Sequence, residues 1–388
     1  MPTRALRRLR LLTDGILVAS FLLAIALPIL DMLVGLDPTP ALTEKRRLAP
    51  PPRLRPGEMV SVSYVGALES WWNDNFGFRR ALVRQYSQFQ LAFGVSPTKS
   101  VILGKTGWLF FADDDALASY RALRPFSAEE LEIWRRRMER RRDWLAARGI
   151  RFLVVVAPSK ETIYPEFMPD TFNRVHPTTR MDQLTAHLRA RSSLELLDLR
   201  GALTEAKGES VLYLRTDTHW NDRGALLAAD AIVARLDSWF PGLRSLAESA
   251  FVPVVHGGWS GDLVGMLSLQ GRLHESRLEL RPRNGWLARP VVIDLPLLEA
   301  QQTVSATETG DAGLPRAVMF HDSFGVSLQP FLSERFARIV YSSGPSDWRR
   351  NFDTGLVERE RPHVVIQEIA ERLLVAPAAL LKSAPEGI

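Results

Sequence analysis

The sequence predicts an α/β fold built on a mainly parallel sheet, with a β-rich insertion and an N-terminal transmembrane helix. Three observations carry this. From residue 126 onward, short β-branched runs alternate with helical segments, the pattern of strands joined by crossover helices. Those runs are continuously apolar, as strands covered on both faces are. Residues 15–36 are apolar except for Asp31, which is about the length needed to cross a bilayer core. A content of 46% hydrophobic and 24% charged residues fits a globular body with a large core. The 388 residues allow one large domain or two of ordinary size.

Residues 1–14 read as a basic cytoplasmic tail, since Arg4, Arg7, Arg8 and Arg10 precede the apolar run and orient it N-in. A cleavable signal peptide is the rival reading. Its apolar region would be shorter, and no small-x-small site followed by a polar start is present, so 15–36 is expected to be a retained anchor. Either reading exports the remainder. Residues 37–58 hold Pro38, Pro40, Pro50, Pro51, Pro52 and Pro56 and read as an extended linker. Residues 59–388 are expected to form the main domain. Within it, 70–93 reads as an amphipathic helical region interrupted at Asn75, Phe76 and Gly77. Residues 101–111 read as two strands about a Lys-Thr-Gly turn.

Ser127 and Glu130 make a capping box for a helix running to about Arg148, where Gly149 stops it. Strands are expected at 152–157, 194–199, 317–320, 338–341 and 363–367, and helices at 181–191 and 222–240. Residues 251–310 break the alternation. Their β-like pieces at 251–255, 277–280 and 290–293 suggest an insertion beside the sheet. The last strand falls shortly before Ile388, and no dedicated carbohydrate-binding module is expected.

The chain has no cysteine, which excludes disulfides, thiolate catalysis and Cys-ligated metals. Its formal charge of +5 is mildly basic. Part of the excess lies on one helix (Arg135, Arg136, Arg137, Arg140, Arg141, Arg142), expected to be a solvated face. No nucleic-acid-binding motif accompanies it.

In an open parallel sheet, ligands bind beyond the carboxyl ends of the strands. That rule selects Pro158-Ser159-Lys160-Glu161, Arg200, His321-Asp322-Ser323 and Glu368. Ser323, on a strand-to-helix turn, is the candidate nucleophile, although a serine there also suits a helix cap. Asp217 and His219 lie two positions apart in a loop. The carboxylate can orient the imidazole through Nδ1–H and leave Nε2 as a base. Asp217 or Asn221 could instead cap the following helix. A metal would need convergent ligands, which His321 and Asp322 beside His219 would have to supply; no metal and no cofactor is expected.

Several blocks in order carry a family resemblance. Asp217-Thr-His-Trp220 is similar to the signature of the SGNH-hydrolase-like alginate O-acetyltransferase proteins of the bacterial periplasm. Trp72 to Arg79 (WNDNFGFR), Val101 to Phe110, Ala157 to Glu166, Gly261-Asp-Leu263, Asp322-Ser-Phe324 and Val365 to Arg372 resemble further blocks. The order Asp-x-His before Ser resembles this family's permuted arrangement; ordinary SGNH esterases place the serine first.

The resemblance implies an SGNH-hydrolase-like three-layer fold, with Ser323 as nucleophile, His219 as general base and acid, and Asp217 as its orienting carboxylate. Lys160, Tyr164 and Arg215 are candidates for holding substrate, or else structural residues, Tyr164 packing in its loop and Lys160 and Arg215 pairing with Glu166 or Asp198. Glu368 and Arg372 could be a salt-bridged strand exit. The implied activity is transfer of acetyl groups, through an acetyl-serine, to hydroxyls of an exported polysaccharide. The implied donor partner is a multispanning membrane acyltransferase, and the implied location is the inner membrane with a periplasmic catalytic domain. A polysaccharide acetyl esterase would use the same residues, and a non-catalytic secretion subunit would have no need of all three.

Overall fold

The computed structural model describes residues 4–39, 41, 47–53, 61–113, 115–244, 247–293, 303–344 and 352–374. Of the proline-rich linker expected at 37–58, residues 40, 42–46 and 54–58 lie outside the described residues, and 37–39, 41 and 47–53 have no regular structure. The chain divides into two compact units. One comprises Met1–Thr98 with Val264–Arg272, the other Lys99–Leu263 with Leu273–Ile388.

The first unit contains three long helices among its described residues: α1 (Arg4–Val34), α2 (Val62–Asn75) and α3 (Arg79–Ala92). Its stretch Leu9–Val34 is long and apolar enough to cross a bilayer. Ser61 caps α2 by accepting the Tyr64 N–H. The Asn75-Phe76-Gly77 interruption is real and ends at Phe78, which adopts a left-handed conformation (φ 60°). Asp31 explains itself here. Its carboxylate accepts the Asp37 N–H at 2.6 Å and the Phe78 N–H at 2.7 Å. These bonds tie the start of α3 to the end of α1. Residues 59–98, expected to open the main domain, therefore group with the N-terminal helix.

The second unit opens with a hairpin, β1 (Val101–Leu103) and β2 (Leu109–Phe111), turning at Lys105–Gly107 as expected. Next come α4 (Ala116–Tyr120), α5 (Ala128–Ala146), β3 (Arg151–Ala157), α6 (Lys160–Ile163), α7 (Arg180–Arg191), β4 (Leu196–Asp198), α8 (Arg200–Ala206) and α9 (Asp222–Asp237). They are followed by β5 (Phe251–Trp259), β6 (Glu275–Pro282), β7 (Arg289–Val291), β8 (Thr303–Glu308) and β9 (Arg316–His321), with α10 (Asp262–Met266) divided between this unit and the first. The last elements are α11 (Gln329–Ser333), β10 (Arg338–Ser343), α12 (Thr354–Glu360) and β11 (Val364–Ala370).

Seven strands form one sheet in the order β4-β3-β11-β9-β10-β8-β7. The five strands read from sequence are its parallel part; β8 and β7 add an antiparallel edge. Residues expected in the insertion thus separate. β5 and β6 pair with each other, while β7 and β8 extend the main sheet. Every residue of β11 is buried. Each fully buried Val or Ile there contributes roughly 1.5–3 kcal/mol. The capping box on α5 is present. Its basic face is not wholly solvated, however. Arg141 is buried and donates to Gln367 on β11 at 2.8 Å, because α5 lies flat on the sheet. Arg135 remains on the outer side, paired with Glu132 and Glu139.

Candidate active site

Ser323, His219 and Asp217 come together although 104 residues separate the first two. Ser323 opens a 3-10 turn (Ser323–Leu328) directly after β9, at the carboxyl edge of the sheet. His219 Nε2 lies 2.8 Å from Ser323 Oγ, and His219 Nδ1 lies 2.7 Å from Asp217 Oδ1. The two capping alternatives are decided by neighbours. Asp322 caps the turn by accepting the Phe324 N–H, so the Ser323 hydroxyl is left for His219. Asn221 caps α9 by accepting the Gly224 N–H, so Asp217 is left for the imidazole.

Asp217 is buried, which opposes ionisation. That burial is outweighed by the His219 ring and by the backbone N–H groups of His219 and Asp262, which together hold its carboxyl below the usual carboxylate range. With Nδ1–H donated to Asp217, His219 carries its lone pair on Nε2, facing the serine hydroxyl. Such a line lets a hydroxyl lose its proton as it attacks a carbonyl carbon. The Phe324 ring packs 4.9 Å from the His219 ring and 5.1 Å from Trp220, which limits how the imidazole can tilt.

Two supporting carboxylates escaped the sequence reading. Glu275 accepts the N–H groups of Arg215 and Thr216, each at 2.8 Å, and Thr216 also donates its hydroxyl to it. Asp262 accepts the Thr218 N–H at 2.8 Å. Together they hold the loop 215–218 from outside. The one local signal was the Gly261-Asp262 pair. A Cβ at Gly261 would lie 2.3 Å from Thr216 O and 2.6 Å from Asp217 Cβ. Gly261→Ala is therefore expected to cost about 1–3 kcal/mol by overpacking. It should also displace Asp217 enough to lower turnover roughly 100-fold. Parallel melting and turnover measurements check this, and turnover unchanged by the substitution would refute it.

The structure places Lys160 and Tyr164 inside the protein. Lys160 is 3% exposed, and its ammonium donates to the carbonyls of Leu214, Arg215 and Asp217 at 3.1, 3.2 and 2.6 Å. Burial lowers its pKa to about 8. Tyr164 is also buried, and its hydroxyl accepts the Leu212 N–H. Both brace the loop carrying Asp217 and His219. The partners expected for Lys160 and Arg215 belong to others: Lys207 pairs with Glu166, and Arg200 with Asp198. Arg215 is exposed at the site's edge.

Among the described residues Glu368 and Arg372 form no ion pair. Glu368 accepts the Asp322 N–H at 3.0 Å, and the Arg372 guanidinium lies over the rings of Phe111 and Phe324. His321 does not face His219: its Nδ1 meets Asp322 O and its Nε2 meets Gln329. Asp217, His219 and Asp262 bring ligand-type atoms within 4.8 Å of one another. Each is already committed, Asp217 to His219 and Asp262 to Thr218, so the group reads as hydrogen-bonded support.

Below the site, burial raises the Glu161 carboxyl to about 7, with the nearby Glu371 carboxyl acting in the same sense. A raised native pKa contributes stability that is full below the unfolded value and lost as pH rises through the native one. The wild-type protein is expected to lose up to about 3 kcal/mol between pH 5 and 8 from this group. Glu161→Gln should be spared that loss. Melts of both forms at pH 5 and 8 check it, and identical pH slopes would refute it.

A mainly parallel α/β sheet with serine, histidine and aspartate hydrogen-bonded at its carboxyl edge is the arrangement of a serine hydrolase-like protein. Residues 101–342 match the family described as SGNH hydrolase-like domain, acetyltransferase AlgX. The match spans well over half of the chain, which belongs to this family and is an acyltransferase. Among its relatives is a probable alginate O-acetylase AlgJ of Pseudomonas aeruginosa, 27% identical over 304 residues, covering 77% of this chain and 68% of that protein. Another, of the same description from Azotobacter vinelandii, is 25% identical over 216 residues, covering 54% of this chain and 52% of its own. Bacillus cereus PatB1 shares the fold with a TM-score of 0.52 at 14% identity, over 71% of this chain and 96% of that one.

Proposed function

We propose that this protein transfers acetyl groups to hydroxyls of an exported polysaccharide by way of an acetyl ester on Ser323. The hydrogen-bonded line Ser323 Oγ, His219 Nε2, His219 Nδ1, Asp217 Oδ1 carries the reading. In the first step Ser323 Oγ attacks the acetyl carbonyl while His219 takes its proton. The proton then passes to the departing group. In the second step His219 takes a proton from a sugar hydroxyl, whose oxygen attacks the acetyl-serine, and Ser323 leaves with that proton. The Ser323 N–H opens the 3-10 turn without an intrahelical acceptor and is the first donor to the developing oxyanion.

On this reading α1 anchors the protein in the bacterial inner membrane, N-terminus inside, with the second unit in the periplasm. The acetyl donor is then a multispanning membrane acyltransferase, and the relatives' description makes alginate the first polymer to try. Exposed Ser323 admits water as a competing acceptor, which keeps a polysaccharide esterase as the second reading. The full-length protein, given an activated acetyl ester with and without oligosaccharides, should yield acetylated sugar by mass spectrometry. Acetate release indifferent to every sugar supplied would overturn transfer in favour of hydrolysis.

A further inference from the structure

The WNDNFGFR block lies outside the site, and its structure assigns it another task. The helix α3 has no side-chain cap of its own. It is capped by α1 and the residues just after it. Asp31 takes the Phe78 N–H at 2.7 Å, and Asp37 takes the Ala81 N–H at 3.4 Å while Arg80 donates to Asp37 O at 3.3 Å. Gly77 leaves no room for a side chain, since a Cβ there would lie 2.0 Å from Pro28 O. The start of α3 is therefore pinned to the last two turns of the apolar helix.

That pinning sets a depth. The 26 residues Leu9–Val34 span about 39 Å at helical rise, against a hydrocarbon core of about 30 Å. Centred, about three residues project at each end, so Asp31 falls at the boundary of the core and α3 starts there. The outward face of α3 suits that depth. Leu82, Tyr86, Phe89 and Phe93, spaced 4, 3 and 4 residues apart, form one stripe, and they are 51%, 55%, 61% and 68% exposed. The Phe89 and Phe93 rings pack together at 4.8 Å, and the Tyr86 hydroxyl accepts from Gln90. Aromatic residues with a polar end favour the headgroup level.

Resting on the reading of α1 as a membrane span, we infer that α3 lies on the bilayer surface with this stripe at the headgroup–acyl boundary. It is a second, peripheral attachment that fixes how the chain leaves the membrane.

The chain lacks cysteine, so single thiols can be placed without background. Full-length Phe89→Cys, Leu23→Cys and Glu129→Cys, each carrying an environment-sensitive fluorophore, are reconstituted in phosphatidylethanolamine/phosphatidylglycerol vesicles with and without acyl-brominated lipid. Position 129, exposed on α5, serves as the aqueous reference. Emission at position 89 should fall to within about twofold of the loss at position 23, and a Tyr86→Cys probe should follow it. Quenching at 23 with position 89 resembling 129 would overturn the proposal and leave the anchor standing. Shielding of position 89 from both aqueous iodide and brominated lipid would overturn it in favour of a protein partner. No quenching at 23 would remove the span and the proposal together.

Discussion

Ser323→Ala is expected to lower both acetyl transfer and acetate release by about 10^4-fold or more, because neither half-reaction has an alternative nucleophile at that point. The substitution removes one hydroxyl from an exposed position, and its other neighbours stay in place: Asp322 still caps the turn, and Phe324 still packs on Trp220. Stability should stay within about 0.5 kcal/mol of wild type. Mass spectrometry of the intact protein after a short exposure to ester should show one added acetyl group on wild type and none on the variant. If the variant keeps more than about a tenth of the activity, Ser323 is not the nucleophile.

Asp217→Asn should be nearly as damaging, at roughly 10^3- to 10^4-fold in kcat with KM little changed. The reason lies in the donors around it. Oδ1 faces the His219 ring and the His219 N–H, and Oδ2 faces the Asp262 N–H. All three donate, so only an acceptor at both oxygens satisfies the site. An asparagine must turn its amino group toward one of them. Turned toward the ring, it forces the proton onto Nε2, where the imidazole can no longer accept from Ser323. Turned toward Asp262, it places two donors face to face and loosens the loop. The lowered native pKa of Asp217 adds a pH signature. Its contribution to stability is present above the unfolded carboxylate value of about 4 and is lost as pH falls through the native one. The stability gap between wild type and Asp217→Asn should therefore close in acid. A gap that widens in acid would contradict this account.

Much of this fold was legible along the chain, because the signals are local. The run Phe152 to Ala157 could only be a doubly covered strand, and the Ser127/Glu130 capping box needs four consecutive residues to be recognised. The strand β8 was missed because Thr303–Glu308 carries only Val304 and Ala306 as apolar residues and lies at the antiparallel side of the sheet. Arg141 was misplaced because a buried arginine and a solvated one look alike until the acceptor, Gln367, is known to lie beneath.

The candidate site divides in the same way. By itself the sequence determined which groups were available: Asp217 beside His219, a serine after an apolar strand, and an apolar segment ahead of everything. Each rests on neighbours in the chain. Tertiary structure alone decided what each group does. It put Ser323 against His219, gave the two capping duties to Asn221 and Asp322, and turned Lys160 and Tyr164 into braces. It also brought in Glu275 and Asp262 from about 45 to 60 residues away. A hydrogen bond is made over about 3 Å of space, whatever the distance along the chain. Only the folded sheet brings such partners within that reach.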